Sequence, residues 1–236
     1  MTIDIRGGVE LPASRENIEL VTSDGLTLVG ELALPEGRPP VATIVALHPL
    51  PTHGGFMDSH IIRKAAARLP ALADIAVLRF NFRSVSSPRG TSQGEFGEGI
   101  HEQHDLDAAM RFVAERGLPA PWLVGWSFGT EVALKYGLRH PIVGAILLSP
   151  PLHRTSDAEI AAWAGSGKRV VAVIPELDDY LRPAEAAERF ASVPEIELVG
   201  VEGGKHLWVG ETQTSRVLNE IVGRINPAAS PLPTTY

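Results

Sequence analysis

The sequence predicts a mixed α/β fold, in which a mostly parallel sheet carries helices on both faces. Three observations lead to this prediction. Short runs of apolar residues alternate with segments of helical length, an antiparallel hairpin precedes them, and no internal repeat breaks the order. The chain has 236 residues, a length that single α/β domains reach. We therefore expect one domain over residues 1–225 and a mobile, proline-rich tail over 226–236.

The first elements are two strands joined by a tight turn. Residues 17–22 alternate between apolar and polar, Ser23-Asp24-Gly25 supplies the turn, and residues 26–34 continue as the second strand. Continuous apolar runs then predict strands covered on both faces. They lie at 42–47, 75–80, 122–124, 142–148 and 170–174, and a last strand is expected at 197–201.

Helical periodicity predicts helices between those strands, at 61–69, 102–115, 130–138, 183–190 and 211–224. Strands that alternate with helices favour right-handed crossovers and a parallel sheet. One connection, 84–99, is long and rich in Ser, Gly and Pro. It follows a strand at the edge where open α/β sheets bind ligands, which favours a functional loop over a disordered one.

Composition and charge exclude several classes of function. The formal net charge is −7, so there is no basic surface for nucleic acid or for an anionic membrane. The absence of cysteine excludes disulfides, thiolate metal sites and cysteine nucleophiles. No apolar run approaches the roughly 20 residues of a membrane span, and residues 1–20 lack the pattern of a secretory signal. We therefore expect a cytoplasmic protein that has no membrane or nucleic-acid partner.

A glycine-rich motif, Gly125-Trp126-Ser127-Phe128-Gly129, lies between a predicted strand and a predicted helix. Strand, Gly-x-Ser-x-Gly and helix are the context of a nucleophile elbow, a sharp turn that exposes the serine hydroxyl. A tight turn without chemistry is the alternative. A nucleophilic serine needs a base that a carboxylate holds, and in this type of fold the order along the chain is serine, acid, histidine.

Two later strand ends supply those partners in that order. Strand 170–174 leads into Asp178 and Asp179, and strand 197–201 leads into His206. The oxyanion that forms during acyl transfer also needs two N–H donors. We expect one from Phe128, which follows the nucleophile, and one from Leu50, since the prolines on both sides of Leu50 lack an N–H. A rigid connecting loop without this role is the alternative for residues 48–55.

Taken together, these segments resemble the α/β-hydrolase superfamily, and within it the small lidless bacterial hydrolases related to dienelactone hydrolase. The resemblance rests on residues 48–55, 79–83, 125–129, 149–151 and 203–206 and extends over 18–223. It implies the α/β-hydrolase fold, hydrolysis of an acyl bond and a triad of Ser127, Asp178 and His206, with Asp178 as the acid. Dienelactone hydrolase itself uses a cysteine nucleophile, which this sequence lacks.

Three further residues are candidates to line the substrate site: His48, Trp126 and Trp208. Their alternatives are a structural histidine and aromatic packing in the core. His53 is a second candidate, for contact with a leaving group. His101 and His104 have a spacing that can bind a metal on a helix, but an exposed helix start is the preferred interpretation.

Arg79, Arg83 and Arg89 offer two interpretations. They are candidates to bind an anionic substrate, and the preferred alternative is that they are ordinary loop and surface charges.

The interval between Ser127 and Asp178 is already filled by predicted strands and helices. We therefore expect no cap domain, and short loops at 84–99 and 151–156 as the cover of the site.

We therefore expect a serine hydrolase that cleaves carboxylic esters or thioesters of small to medium acyl groups through an acyl-enzyme. Its partner is a small-molecule acyl substrate, and the chemistry requires no metal and no organic cofactor. A peptidase or amidase with the same triad remains an alternative, as does a non-catalytic binding protein of the same fold. The sequence carries no signal for an oligomeric state.

Overall fold

The computed structural model describes residues 2–236, and its centre is one eight-stranded sheet. Ten strands follow one another along the chain: β1 (Ser14–Val21), β2 (Thr27–Leu34), β3 (Ala42–Leu47), β4 (Ile75–Phe80), β5 (Ser86–Ser87), β6 (Gly90–Thr91), β7 (Pro121–Trp126), β8 (Gly144–Leu148), β9 (Arg169–Pro175) and β10 (Glu197–Val201). The helices are α1 (His60–Ala73), α2 (Glu102–Glu115), α3 (Phe128–Tyr136), α4 (Asp157–Ala161), α5 (Pro183–Arg189) and α6 (Glu211–Ile225).

The sheet is parallel except at one edge. Its strand order is β1-β2-β4-β3-β7-β8-β9-β10; β1 pairs antiparallel with β2, β2 pairs antiparallel with β4, and all other neighbours are parallel. The predicted fold class, a mostly parallel sheet with an N-terminal antiparallel hairpin, is confirmed. Strands β5 and β6 form a separate small hairpin within the long connection 84–99.

Two apolar cores lie on the two faces of the sheet. Successive side chains of a strand point to opposite faces, so Ile44 of β3 packs in one core and its neighbour Val45 packs in the other. Val77 and Leu78 of β4 divide in the same way. Helices α2 and α3 contribute to one core, whereas α1 and α6 contribute to the other. This two-sided burial explains why the strands read as continuous apolar runs.

Helix α1 is longer than predicted because it continues through Pro70. Proline has no N–H. The carbonyl of Ala66, four residues earlier, therefore lacks the donor that it would have in a regular helix. The guanidinium of Arg15, on β1, donates to that carbonyl at 3.1 Å. A long-range hydrogen bond thus replaces the missing helical one, and local sequence gave no sign of it.

Arg79 lies in a buried cluster of charges and is not a surface residue. Its side chain is 1% exposed and donates to Glu31 of β2, with the Nη2–Oε1 distance at 2.7 Å, and also to Asp58. Arg89 contacts the same two carboxylates, at 2.8 Å from Glu31 and 3.0 Å from Asp58. Arg79 is therefore neither a surface charge nor accessible to an anionic substrate. The carboxylates around it compensate its charge, which allows an arginine to be buried beside the sheet.

Arg83 is a second buried arginine, so its interpretation as a loop or surface charge is wrong. Its guanidinium lies 2.8 Å from Asp105 of α2 and 3.0 Å from Asp24 of the first turn. Burial raises the pKa of Asp105 to about 6, although the hydrogen bonds from Arg83 act in the opposite direction. The pair joins α2 to the end of β4.

The chain termini lie against each other. Ile3 and Tyr236 exchange two backbone hydrogen bonds of 2.8 Å, and the amide of Ile5 donates to the carbonyl of Thr234. The amide of Leu232 donates to Asn219 of α6 at 2.7 Å. The expected boundary between a domain 1–225 and a mobile tail stays a prediction.

Within residues 2–236, no helix is both long enough and apolar enough to cross a bilayer.

We expect the Arg79 cluster to be a major source of stability. Arg79→Met leaves the carboxylates of Glu31 and Asp58 with only the partly exposed Arg89 in common, so the free energy of unfolding should fall by about 3 kcal/mol. Arg38, whose side chain is 45% exposed beside Asp74, is the matched control. Arg38→Met should cost less than about 1 kcal/mol. Urea denaturation measures both values, and equal losses would show that burial gives the cluster no added importance.

Candidate active site

Ser127 lies on a sharp turn between β7 and α3. Its backbone has φ 52° and ψ −119°, a left-handed conformation that side-chain-bearing residues rarely adopt. A Cβ atom on Gly125 would lie 2.5 Å from the carbonyl oxygen of Gly129, and one on Gly129 would lie 2.1 Å from that of Leu47. Both positions therefore require glycine, and the turn presents the serine side chain beyond the end of the strand.

The structure brings Ser127, His206 and Asp178 together in one chain of hydrogen bonds. His206 Nε2 lies 2.9 Å from Ser127 Oγ, and His206 Nδ1 lies 2.9 Å from Asp178 Oδ2. With the proton on Nδ1, facing the carboxylate, Nε2 is free to accept from the hydroxyl. Asp178 is buried, and its Oδ1 also accepts the amide of Tyr180 at 2.8 Å. Its neighbour Asp179 is exposed.

Two side chains hold the backbone of His206 from behind. Trp126 Nε1 donates to the carbonyl of His206 at 3.1 Å, and Ser149 Oγ donates to the same oxygen at 3.2 Å. The ring of Tyr180 packs edge-on against the imidazole, with centroids 4.6 Å apart. The imidazole is therefore fixed on several sides, as a base that must meet one hydroxyl requires.

The two expected oxyanion donors, Leu50 and Phe128, lie at the same cavity as Ser127. The Phe128 amide is in the first turn of α3, where N–H groups have no partner within the helix. In the part of the chain that the structure describes, neither amide donates a hydrogen bond. The carbonyl of Leu50 accepts from His53 and from Gly55, each at 3.0 Å, which holds the loop in a compact turn.

His48 acts within this loop and does not line the cavity. It is fully buried; its Nε2 accepts the amide of Phe82 at 3.0 Å, and its Nδ1 donates to the carbonyl of Pro49 at 2.7 Å. That carbonyl and the Leu50 N–H belong to one planar peptide unit. His48 therefore fixes the direction of the Leu50 N–H. Burial lowers the pKa of His48 to about 4, so the ring stays neutral at neutral pH.

The cavity at Ser127 has a volume of about 320 Å³. Its lining includes four of the expected residues and His53. The segment 151–156, expected as cover, contributes Pro151, His153 and Arg154. Four further lining residues had no predicted role at the site: Pro49, Glu131, Tyr180 and Leu207. Glu131 follows Ser127 by four residues on one helix, so helical spacing was a usable signal for it. The others depend on how loops fold back over the sheet.

Trp126 and Trp208 do not line the cavity, contrary to the expectation. Trp126 directly precedes Ser127, and side chains that follow one another at a strand end point to opposite faces. It packs in the core beside α1 and α6, where its ring meets that of His60 at a centroid distance of 5.1 Å. Trp208 is fully buried in the same core.

Two loops meet at the mouth of the cavity, the connection 84–99 and the segment 151–156. Arg154 Nη2 lies 2.9 Å from Oε2 of Glu98, which joins one loop to the other. The guanidinium also lies over the rings of Phe96 and Phe128, at 5.9 and 5.8 Å from their centroids. Both loops thus contribute to the surroundings of the site.

The alternative of a metal at His101 and His104 has no support in the geometry. His104 Nδ1 lies 2.8 Å from the hydroxyl of Ser23, at the exposed turn of the first hairpin. Over residues 2–236, no three side chains of the metal-binding types are grouped closely enough to hold an ion.

No protein-family model matches the sequence, and no curated protein matches it. Solved structures do match. An α/β serine hydrolase without a lid from Xanthomonas campestris is 27% identical, with 95% of this chain and 99% of that chain covered and a TM-score of 0.74. An α/β serine hydrolase homologue from Coxiella burnetii is 24% identical, with 89% and 96% covered and a TM-score of 0.72. An esterase from Pyrococcus furiosus is 20% identical, with 90% and 93% covered and a TM-score of 0.70.

These comparisons establish the fold. The chain has the α/β-hydrolase fold without a lid, and the predicted resemblance to that superfamily is confirmed. Its similarity to a serine hydrolase at 27% identity supports hydrolase activity at a coarse level.

We expect the burial of His48 to make stability depend on pH. An unfolded histidine takes a proton near pH 6.5, whereas the folded protein has a His48 pKa of about 4. Between these values the unfolded state binds more protons, so the contribution of His48 to stability is full above pH 6.5 and falls toward pH 4. The slope is at most about 1.4 kcal/mol per pH unit.

His48→Gln tests this expectation, because the amide can accept from Phe82 and donate to Pro49 without titrating. The free energy of unfolding of the wild type, relative to that of the variant, should fall between about pH 7.5 and about pH 5. Urea denaturation at both pH values measures it, and His101→Gln controls for the loss of an exposed histidine. A difference that stays constant with pH would contradict the neutral, buried state.

Proposed function

We propose that this protein is a serine hydrolase that cleaves carboxylic esters or thioesters through an acyl-enzyme. The observation that carries the proposal is the continuous chain of hydrogen bonds from Ser127 through His206 to Asp178, at distances of 2.9 Å and 2.9 Å. A serine hydroxyl becomes an effective nucleophile when a base accepts its proton and a carboxylate holds that base. The similarity to a lidless serine hydrolase supports the same conclusion.

The reaction follows from this geometry in two halves. Ser127 Oγ attacks the carbonyl carbon while His206 Nε2 takes the hydroxyl proton, and Asp178 stabilises the imidazolium that results. The oxygen of the tetrahedral intermediate becomes negative, and the amides of Leu50 and Phe128 donate to it. His206 then gives its proton to the departing alcohol or thiol. Water repeats the sequence on the acyl-enzyme and releases the acid and free Ser127.

The surroundings of the site favour small to medium acyl groups. The cavity holds about 320 Å³, close to the lower end of common ligand pockets. Its lining combines the apolar side chains of Pro49, Leu50, Phe128, Pro151 and Leu207 with histidine, arginine, glutamate and tyrosine. A long apolar chain would exceed this volume and extend into solvent.

The nucleophile is tested by substitution and by covalent labelling. Ser127→Ala should reduce kcat/KM for a short ester by a factor on the order of 10³ or more, since triad residues act as a unit. The thermal unfolding midpoint should not fall, because alanine fits the turn as well as serine does. A fluorophosphonate probe should modify Ser127 in the wild type and leave the variant unlabelled.

Ser166→Ala is the matched control, because Ser166 lies in a surface loop before β9. It should keep both activity and labelling. More than about a tenth of the wild-type rate in Ser127→Ala, or an adduct elsewhere in the chain, would overturn the assignment of the nucleophile.

Acyl-chain length gives a separate test of the site. With a series of p-nitrophenyl esters, kcat/KM should be greatest for acyl groups of about two to six carbons, because further methylenes remain in water and gain none of the ~0.8 kcal/mol that burial of each would give. Activity should show no jump when the substrate forms an emulsion. Rates that rise steadily to about twelve carbons would contradict an open, short site. Matched anilides in the same series distinguish an esterase from an amidase.

A further inference from the structure

Glu131 lies at the cavity of the proposed site, but the triad and the oxyanion donors make no use of it. It follows Ser127 by four residues at the start of α3. Residues four apart lie on the same side of a helix, about 6 Å apart along its axis. A group on the carboxylate of Glu131 would therefore sit one helical turn from the nucleophile.

The two oxygens of Glu131 differ in their surroundings. The side chain is 0% exposed; Oε1 accepts the backbone amide of Arg154, whereas Oε2 has no hydrogen-bond partner in the described residues. The guanidinium nitrogen Nη1 of Arg154 lies 3.9 Å from Oε2, beyond hydrogen-bond distance. Burial also raises the pKa of Glu131. A buried carboxylate oxygen without a donor is costly, so a ligand that supplies one is favoured.

The neighbouring charges decide what kind of donor fits. The guanidinium of Arg154, 3.9 Å from Oε2, would repel an ammonium group. An anion would meet two carboxylates, Glu131 itself and Glu98 on the other side of Arg154. An apolar group would leave Oε2 without a partner. A neutral hydroxyl is the group that satisfies Oε2 without adding charge.

We propose that Glu131 determines substrate specificity, and that its Oε2 accepts a hydrogen bond from a hydroxyl group of the substrate. The preferred substrates are then hydroxylated esters, with the hydroxyl about three to five bonds from the scissile carbonyl, a distance that one helical turn allows. This inference rests on the proposed function. The hydroxyl can belong to the acyl group or to the alcohol, and the substrates of the test distinguish the two.

A purely structural role for Glu131 makes a different prediction. Its Oε1 anchors the backbone at Arg154, and that contact alone would stabilise the loop 151–156 without any effect on specificity. Glu131→Gln separates the two roles. The amide oxygen of glutamine can still accept the Arg154 N–H, whereas its NH₂ group replaces Oε2 and donates where the glutamate accepts.

The test uses ester pairs that differ in one group. On the acyl side these are the ethyl esters of β-hydroxybutyrate, isovalerate and acetoacetate, which carry a hydroxyl, a methyl and a keto group at the same carbon. On the alcohol side they are trimethylene glycol monobutyrate and butyl butyrate. On one of the two sides, the wild type should prefer the hydroxyl ester over its methyl counterpart by about tenfold in kcat/KM. A preference of this size is expected from one hydrogen bond to a carboxylate.

In Glu131→Gln that preference should fall to about threefold or less if the hydroxyl lies on the alcohol, because a hydroxyl that accepts from a neutral amide gains less than one that donates to a carboxylate. If it lies on the acyl group, the ratio of acetoacetate to β-hydroxybutyrate should rise by about tenfold relative to the wild type, because the keto oxygen accepts from the new NH₂. Ratios between substrates cancel any general loss of activity. Glu98→Gln removes the other carboxylate on Arg154 and should leave the ratios unchanged.

Three results would overturn the inference. The first is a wild type without a hydroxyl preference on either side, which needs no variant to observe. The second is a preference that Glu131→Gln leaves undiminished, and the third is a preference that Glu98→Gln lowers equally. In each case, ester hydrolysis and labelling of Ser127 would leave the proposed function intact. Failure of both hydrolysis and labelling would overturn the proposed function, and this inference with it.

Discussion

The site depends on one close approach between backbones. Because Gly129 has no side chain, the first turn of α3 can lie against the carbonyl of Leu47, where a Cβ atom would be only 2.1 Å from that oxygen. The contact places the end of β3 beside the start of α3. As a result, the loop that carries Leu50 and the turn that carries Ser127 and Phe128 reach the same cavity. Any larger side chain at this position would separate Ser127 from the loop.

The end of β4 and the two residues after it then hold that loop in shape through three contacts. Arg79 pairs with Asp58, the side chain of Asn81 accepts the amide of Met57 at 2.9 Å, and the amide of Phe82 donates to His48. These are contacts to both ends of the connection between β3 and α1. A strand that supplies no residue to the cavity thereby fixes the direction of a backbone amide within it. Such support from outside the site is what a pre-organised set of donors requires.

Much of this arrangement could be predicted from the sequence, and the exceptions share a cause. The order of strands and helices and the residues of the hydrogen-bonded chain follow from local patterns and from a known chain order. The burial of Arg79 does not, because its partner Glu31 lies on a different strand. The position of Trp126 depends on how the elbow directs one side chain against the next. Likewise, helix α1 passes Pro70 while Arg15, on a distant strand, donates to the carbonyl that the proline leaves without a helical donor. Long-range partners decide these cases, and a single sequence does not reveal them.

The pair Arg154–Glu98 has a consequence for the mouth of the cavity that the buried charges do not share. Both side chains reach solvent, at 30% and 66% exposure, so mobile ions screen their attraction, and the screening length at physiological ionic strength is about 8 Å. The pair of Arg79 and Glu31 is buried, at 1% and 4% exposure, so mobile ions screen it much less. Rising salt concentration therefore weakens the connection between the two loops at the rim while leaving the support beneath Leu50 intact. Access to Ser127 and the alignment of the Leu50 amide thus respond differently to the salt concentration around the protein.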